Sequence, residues 1–225
     1  MFQSRQLLFG GLWLGFLLYA ILLAPPDAPD TFTLIQRLSA GEWEGLNPLI
    51  IALFNLMGIW PLVYCAVLFV DGRGQRIPAW PFAVGTFAFG AFLLLPYLAL
   101  RQPNPTFKGS KTIALRLWDS RWLALSFLLG TIVLMGYGLG LGMSGGWWSD
   151  FVHQWQTSRF IHVMSLDFCL LTLLFPVLIE DDRLRRGVKR RDPLWGLCLL
   201  PLVGACLYLV LRPNLNWSES GLKPD

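Results

Sequence analysis

Charged residues are scarce in this sequence. Only 14% of its 225 residues are Asp, Glu, Lys or Arg, whereas 55% are hydrophobic. All 18 Lys and Arg residues lie outside the long apolar runs, as they do when membrane spans alternate with loops. A soluble domain of this size has no use for several apolar runs of membrane-crossing length. The composition therefore excludes an ordinary soluble domain and predicts a polytopic membrane protein.

Residues that bind metals are also few. The chain has two histidines, which excludes the histidine clusters of membrane desaturases and hydroxylases. Its cysteines lie in apolar runs without a C-x-x-C pattern, so we interpret them as packing residues and predict neither a disulfide framework nor a metal site. No G-x-S-x-G nucleophile motif is present. The cysteines are Cys65, Cys169, Cys198 and Cys206.

The net charge of +4 does not indicate a nucleic acid partner. The basic residues lie in short loops beside apolar runs, where positive-inside bias and anionic lipid headgroups account for them. The lipid bilayer is the partner that the sequence predicts.

Six apolar runs are long enough to cross a bilayer core of about 30 Å. Five of them cover residues 6–24, 48–70, 81–100, 122–143 and 194–211, and the fifth in chain order lies within residues 158–192. The first run is predicted to stay uncleaved, because a proline would follow the best signal-peptidase site. The fold prediction is all-α, with one six-helix transmembrane domain over residues 1–213 and a disordered polar tail at 214–225.

Two connectors and one span carry further local patterns. Residues 27–47 favour an amphipathic helix anchored by Trp43, and the second half of residues 101–121 favours a short interfacial helix. In the fourth span, glycines recur at four-residue spacing in two overlapping pairs, which is typical of close helix packing. These pairs are Gly136 with Gly140 and Gly138 with Gly142.

Counting basic residues predicts the orientation. With six spans, the side that holds both termini carries six Lys and Arg residues, and the opposite side carries twelve. The positive-inside rule then places both termini on the non-cytosolic, or lumenal, side. Arg5, ahead of the first span, favours the opposite orientation.

Two pairs of similar strings suggest an internal repeat. VLFVD at residues 67–71 parallels VLIED at 177–181, and LALRQPN at 98–104 parallels LVLRPN at 209–214. With three spans in each half, the halves would be inverted, an arrangement found in many transporters. Apolar strings also match by chance, so a duplication and a coincidence both stay open.

Three polar residues lie inside the predicted spans and are the candidate functional residues. Asp167 is the only carboxylate well inside a span, where a charge is costly unless it is paired or hydrated, so we expect it to point into the bundle. Its expected polar partners are Asn55, a backbone carbonyl freed by Pro61, and a tyrosine such as Tyr64 or Tyr137. His162, five residues earlier, lies about 140° away around a helix and is a candidate pigment or metal ligand. Asn55 is either a hydrogen-bonding residue between helices or a ligand contact. For Asp167, a structural carboxyl and a functional one are both open.

An acidic and basic cluster follows the fifth span. We interpret it as a membrane-surface cluster that forms ion pairs and contacts headgroups, in preference to a metal site. Its residues are Glu180, Asp181, Asp182, Arg183, Arg185 and Arg186.

Two stretches carry a family resemblance. EWEGLNPLIIALFNLMGIWPLVYCAVLFVDGRGQRIPAWPF at residues 42–82 and RFIHVMSLDFCLLTLLFPVLIEDD at 159–182 resemble uncharacterised integral membrane proteins of cyanobacteria and plastids. The pattern His162-x4-Asp167-Phe168 is also similar to the neoxanthin synthase family, in this one helix only. The resemblance implies a photosynthetic organism and the thylakoid membrane or, in a cyanobacterium, the plasma membrane.

The resemblance leads to one functional expectation, and the polar residues in the spans together with the possible inverted repeat lead to two alternatives. We expect a non-enzymatic accessory protein of the photosynthetic membrane that aids assembly of pigment–protein complexes or handles pigments, so a pigment is a possible cofactor. The first alternative is a carotenoid- or lipid-modifying membrane enzyme, which would use His162, Asp167 and Asn55. The second is a small transporter in which Asp167 binds a cation or relays a proton.

Overall fold

The chain is all-helical in the part that the computed structural model describes, residues 2–106, 112–188 and 200–215. Cys198 and most of the predicted tail lie outside these ranges. The helices are α1 (Phe2–Leu22), α2 (Thr31–Ala40), α3 (Pro48–Asp71), α4 (Trp80–Phe89), α5 (Ala91–Leu100), α6 (Ile113–Trp118), α7 (Arg121–Gly142), α8 (Trp147–Thr157), α9 (Arg159–Arg185) and α10 (Val203–Leu211).

Four of the described helices are long and apolar enough to cross a membrane. They are α1, α3, α7 and α9, which correspond to the first, second, fourth and fifth predicted spans. Helix α3 lies at the centre, because it contacts α4, α7 and α9 and buries most of its side chains. Few residues of helices α1 and α7 are buried inside the bundle, as is usual for helices that face lipid.

The prediction of six spans is not confirmed, because the third predicted span is broken. Gly90, with φ 45° and ψ −125°, separates α4 from α5, and those angles cannot continue an α-helix. The two short helices then lie side by side, with Gly85 of α4 against Leu93 of α5. Arg101, directly after α5, donates hydrogen bonds to Asp71, the last residue of α3. The segment 80–100 therefore turns back at Gly90 and returns to the end of the bundle at which it began.

Only part of the sixth predicted span is described, and that part is the nine-residue helix α10. Residues 194–199 of this span lie outside the described ranges. Cys206 of α10 lies 3.7 Å from Thr131, in the middle of α7. Arg212, directly after α10, contacts Asp182 near the end of α9. Helix α10 thus runs from the middle of the bundle to its end, as α5 does.

The two halves of the chain run in the same direction. Helices α3 and α9 end together, because Arg185 of α9 pairs with Asp71 of α3. Helix α7 starts at that same end, since Asp119 just before it pairs with Arg186. Helix α1 starts there as well, with Arg5 lining a cavity beside the end of α9. The described residues therefore do not support an inverted repeat.

Short helices cover the opposite end of the bundle. The amphipathic helix predicted within residues 27–47 is confirmed as α2, which buries Leu38 against Ile50 and Ile161. Helix α8 packs against the first turns of α9. At the first end, the short helix predicted in the second half of residues 101–121 is confirmed as α6.

One of the two predicted glycine pairs makes a helix contact among the described residues. A Cβ added at Gly138 would lie 2.5 Å from the Cβ of Ala52, and one at Gly142 would lie 2.4 Å from Leu49. These glycines therefore let α7 approach α3 closely. Gly136 and Gly140 meet no described atom within 4 Å, so their side of α7 is open.

Candidate intramembrane site at the helix break

Asp167 lies where the α4–α5 hairpin turns back. Its carboxylate oxygen Oδ1 accepts a hydrogen bond of 2.8 Å from the backbone N–H of Ala91, the first residue of α5. The first N–H groups of a helix have no partner within the helix and carry its positive dipole end. Asp167 therefore supplies an acceptor to an amide that would otherwise be buried without one.

Gly90 allows the carboxylate to approach this closely. A Cβ at Gly90 would lie 1.8 Å from Oδ2 of Asp167. Its positive φ of 45° is also a conformation that residues with side chains rarely adopt. Both the backbone angles and the contact with Asp167 therefore require glycine at the break.

The burial of Asp167 was predicted correctly, but its hydrogen-bond partner was predicted wrongly. The residue is 6% exposed, which agrees with the prediction that it points into the bundle. Asn55, Tyr64 and Tyr137 were the expected side-chain partners. Among the described residues, the hydrogen-bond partner is instead the amide of Ala91. The prediction failed because it assumed that the third span was an unbroken helix, in which that amide would already be bonded.

Asp167 also lines a cavity of about 470 Å³, together with Gly90 and Thr86 at the hairpin tip. No described residue donates a hydrogen bond to its Oδ2 atom, whereas the Thr86 hydroxyl donates to the carbonyl of Ala83. An intramembrane carboxylate with one of its oxygens unbonded is positioned to hold a proton or a cation.

Aromatic side chains form much of the cavity wall. Its lining includes two methionines and five phenylalanines. The phenylalanines are Phe54, Phe87, Phe89, Phe92 and Phe160. Phe92 is held in place by a stacked contact with Phe16 of α1 at 4.3 Å between ring centroids. Its carbonyl also accepts a hydrogen bond of 2.9 Å from the indole of Trp13.

The cavity extends toward the end of the bundle covered by α2 and α8. Asp27, Thr31 and Arg159 form that part of its lining. Arg159 pairs with Asp27 at 2.9 Å and donates a further hydrogen bond to the carbonyl of Pro25. The two opposite charges at this mouth balance, so Asp167 supplies the net charge of the lining.

His162 is near the cavity, but both of its ring nitrogens are engaged. Nδ1 lies 2.9 Å from the carbonyl of Trp155 and Nε2 lies 2.8 Å from the hydroxyl of Tyr19. A carbonyl only accepts, so Nδ1 carries the proton and Nε2 accepts from the tyrosine. With neither nitrogen free, His162 connects α1, α8 and α9, and the arrangement does not favour a ligand to a pigment or metal.

Asn55 is not brought to Asp167. Its side-chain amide donates a hydrogen bond of 2.8 Å to the carbonyl of Ile51, one turn earlier in the same helix. The neighbouring residues Phe54, Met57 and Gly58 line the cavity. Helix α3 therefore contributes apolar residues, and not the Asn55 amide, to the wall of the cavity.

A second polar cluster lies at the opposite end of α9. Its core consists of carboxylates and guanidiniums from both halves of the chain. We call it the ionic cluster; its members are Asp71, Arg101, Asp119, Asp181, Asp182, Arg185, Arg186 and Arg212.

The ion pairs expected within residues 180–186 are present, but most of these residues are buried in the protein and do not lie at its surface. Asp181, Asp182, Arg183, Arg185 and Arg186 are each no more than 8% exposed. Glu180 alone of these six residues is exposed. Burial is possible because acidic partners elsewhere in the chain neutralise the arginines, which sequence neighbours alone did not reveal.

The ionic cluster contains the same triad twice. Tyr97 donates a hydrogen bond of 2.6 Å to Asp71, which also accepts from Arg101 at 2.8 Å. In the second half, Tyr208 donates to Asp182 at 2.7 Å, and Arg212 lies 3.3 Å from the same carboxylate. The sequence separation between corresponding members is identical for the Asp, Tyr and Arg residues.

Ion pairs also join one half to the other. Arg185 of the second half pairs with Asp71 of the first, and Arg101 of the first half pairs with Asp181 of the second. The Asn104 side chain bonds the carbonyl of Asp71 at 2.8 Å. The ionic cluster therefore locks the two halves together and closes this end of the bundle.

The basic members outside the long helices remain charged. Burial acts to lower the pKa of Arg101, but its hydrogen bonds and charge interactions with Asp71 and Asp181 outweigh burial and raise the pKa above its ordinary value. Burial lowers the pKa of Arg212, with Asp182 opposing the effect. Arginine is protonated throughout the physiological range, so the ionic cluster is a permanent array of charges.

Asp71, Arg101, Asp119 and Arg212 were not among the predicted site residues. The signal for three of them was present in the paired strings, which contain Asp71, Arg101 and Arg212.

Within the described ranges, no group of three His, Cys, Asp or Glu residues is arranged to hold a metal ion.

Comparison with known proteins adds no relative. No family model matches the chain, and neither a curated protein nor a solved structure matches it.

Proposed function

We propose that the protein is a small membrane transporter in which Asp167 binds a cation in the interior of the bundle. The observation that carries the proposal is the hairpin that forms where the third predicted span is broken. Its turn at Gly90 meets a buried carboxylate beside a cavity. Non-helical backbone at membrane depth is tolerated where protein buries it or where it lines a cavity, and transporters use it to bind their ligands.

The polarity of the site supports a cation in preference to an anion. Asp167 is the charge at the inner part of the cavity, and Arg159, the basic residue among the described lining residues, is paired with Asp27. The α5 N-terminus stabilises the carboxylate through the Ala91 amide. Oδ2 is left for a proton, a metal cation or an ammonium group. An anion there would meet uncompensated negative charge.

The two ends of the bundle differ in the access that they give to Asp167. The cavity extends from Asp167 to Asp27 and Thr31 at one end. At the other end, the ionic cluster ties α3, α5, α9 and α10 together through buried pairs. A cation bound at Asp167 is therefore open to one side and closed off from the other, which is the asymmetry that alternating access requires.

We infer an orientation from the same geometry. Ten of the twelve arginines in the described ranges lie at or beside the end that holds the ionic cluster, and the other two are Arg37 and Arg159. The positive-inside rule places that end in the cytosol or stroma. Because the third predicted span turns back, this orientation puts the N-terminus on the cytosolic side, opposite to the prediction from six spans.

The decisive experiment measures charge movement in proteoliposomes adsorbed to a solid-supported membrane. Rapid concentration jumps of protons, Na⁺ and tetramethylammonium are applied to the wild type, Asp167→Asn and Glu42→Gln. We expect at least one cation to give a transient current that Asp167→Asn reduces at least tenfold, about the effect of losing 1.4 kcal/mol of interaction. Glu42, an exposed carboxylate after α2, is the matched control and should leave the current unchanged. Currents that are equal in all three proteins, or absent from all of them, would refute the proposal.

The accessory role in a photosynthetic membrane rests on the sequence resemblance, and the enzyme alternative on the residue types in the spans. Both stay predictions, as does the thylakoid location.

A further inference from the structure

We propose that the cavity at Asp167 is built for an organic ammonium ion that carries an aromatic or branched apolar group. This inference rests on the proposed function for its transport step, but it concerns binding and is tested by binding. The residues that line the cavity favour such an ion. The described lining combines the Asp167 carboxylate, of which one oxygen is hydrogen-bonded, with five phenylalanines and two methionines, and Thr86 is the neighbouring hydroxyl.

The side chains of the described lining offer few oxygen ligands for a metal cation. Sodium and divalent cations are held by several carboxylates, carbonyls or waters. In the described part of the lining, the carboxylates are Asp167 and, at the mouth, Asp27, which pairs with Arg159. The Thr86 hydroxyl donates to the carbonyl of Ala83, which leaves its oxygen lone pairs as one further neutral ligand.

Aromatic rings favour an alkylated ammonium group instead. The faces of aromatic rings attract cations, and groups of such rings recognise quaternary and methylated ammonium ions. Phe54 and Phe160 form a tilted ring contact, with 6.4 Å between centroids and 55° between the ring planes. Both line the cavity with Phe92, whose ring is fixed by Phe16. These rings provide the apolar and cation–π contacts that a hydrated metal ion cannot use.

The size of the cavity fits the same class of ligand. A volume of about 470 Å³ lies within the range of pockets that bury small organic molecules. Phe87 and Phe89 of the α4 tip line it while remaining more than half exposed. In a membrane that exposure faces the acyl chains, so an amphiphilic cation can reach Asp167 from the bilayer as well as from the mouth.

The test uses two probes of the same shape that differ in charge. Benzyltrimethylammonium carries the cation, and neopentylbenzene replaces its nitrogen with carbon. The full chain, purified in detergent, is titrated with each probe while the midpoint of thermal unfolding is measured. We expect a saturable rise in the midpoint with benzyltrimethylammonium and none with neopentylbenzene. An equal rise with both probes, or no rise with either, would overturn the inference.

Variants locate the binding. Asp167→Asn keeps an oxygen for the Ala91 amide and should weaken binding of benzyltrimethylammonium at least tenfold. Phe160→Leu should weaken it about two- to fivefold, the size expected for one cation–π contact. Phe32→Leu, on the exposed surface of α2, should leave it unchanged. If Asp167→Asn does not fold, the Phe160 and Phe32 variants still decide, because equal binding by both excludes the cavity.

The two proposals fail in different ways. Currents with protons or Na⁺ that depend on Asp167, together with no binding of benzyltrimethylammonium, would remove the ligand class and leave the transporter. Binding that depends on Asp167 without any current would leave the site and remove the transport function.

Discussion

Asp167 and Gly90 define each other's roles. The carboxylate caps an amide that exists only because the helix breaks at Gly90, and the break is tolerable only because the carboxylate reaches that amide. The sequence predicted a buried Asp167 from the cost of a charge inside a span. It did not predict the partner, because a glycine inside an apolar run looks the same whether the helix continues through it or breaks.

Replacing Gly90 by alanine should destabilise the protein. The new Cβ would lie 1.8 Å from Oδ2 of Asp167, and the positive φ of 45° would strain an alanine. Strain and overpacking each cost about 1–3 kcal/mol, so we expect a clear fall in the thermal midpoint of the purified protein. Gly140→Ala is the control, because a Cβ there meets no described atom within 4 Å. Equal midpoints for the two variants would contradict the close contact at the break.

Tyr19→Phe should weaken the attachment of α1 to α9. The change removes the hydroxyl that lies 2.8 Å from Nε2 of His162. A hydrogen bond of this kind contributes about 0.5–1.5 kcal/mol, which thermal or denaturant unfolding in detergent can resolve. The matched control is Tyr137→Phe, because Tyr137 contacts Trp43 through its ring. If the two variants have the same stability, the Tyr19–His162 bond does not stabilise the fold.

At the scale of helices, hydropathy predicted where the apolar segments lie better than it predicted whether each segment crosses the membrane or turns back. Four apolar runs form the long helices at nearly the predicted positions. The run at 81–100 is equally apolar and of similar length, yet it forms a hairpin. Apolar length shows that a segment is buried in protein or lipid, but it does not show whether the segment crosses or returns. The information is in Arg101 at its end, whose buried partner Asp71 lies at the end where the hairpin begins.

Breaking that contact should destabilise the protein strongly. Asp71→Asn leaves Arg101 and Arg185 with less compensating charge at a site where both guanidiniums are fully buried. Removing one partner of a buried ion pair costs about 3–5 kcal/mol, so we expect loss of the folded protein in detergent or a large fall in its thermal midpoint. Glu180→Gln changes an exposed carboxylate at the same end of α9 and should have little effect. A small effect of Asp71→Asn would show that the ionic cluster is not needed to close the bundle.

For the whole molecule, the paired strings left open whether the two halves are repeats, and the structure shows the direction in which each half runs. In the structure, Asp71, Tyr97 and Arg101 form a triad of the same kind as Asp182, Tyr208 and Arg212, whereas the strings align Asp71 with Asp181. The inverted arrangement followed from counting three spans in each half. Once the segment at 80–100 returns to its starting end, each half runs in the same direction, and both triads meet in one ionic cluster.

Because the hairpin returns to the end at which it began, the segments before and after it should lie on the same side of the membrane. Arg76, in the turn before α4, and Thr106, beyond α5, are both exposed, and the contact between Arg101 and Asp71 places their segments at the same end. Single cysteines at these positions, in a background without the native cysteines, should react with a membrane-impermeant maleimide from the same side.

Six full spans would instead put the two positions on opposite sides of the membrane. A third cysteine at Glu42, exposed at the α2 end, should react only from the other side and serves as the internal reference. The positive-inside rule further predicts that positions 76 and 106 face the cytosol or stroma, so in intact cells only the cysteine at 42 should be labelled. Labelling of 76 and 106 from different sides would show that the hairpin crosses the membrane. Labelling of both from outside would keep the hairpin and reverse the orientation.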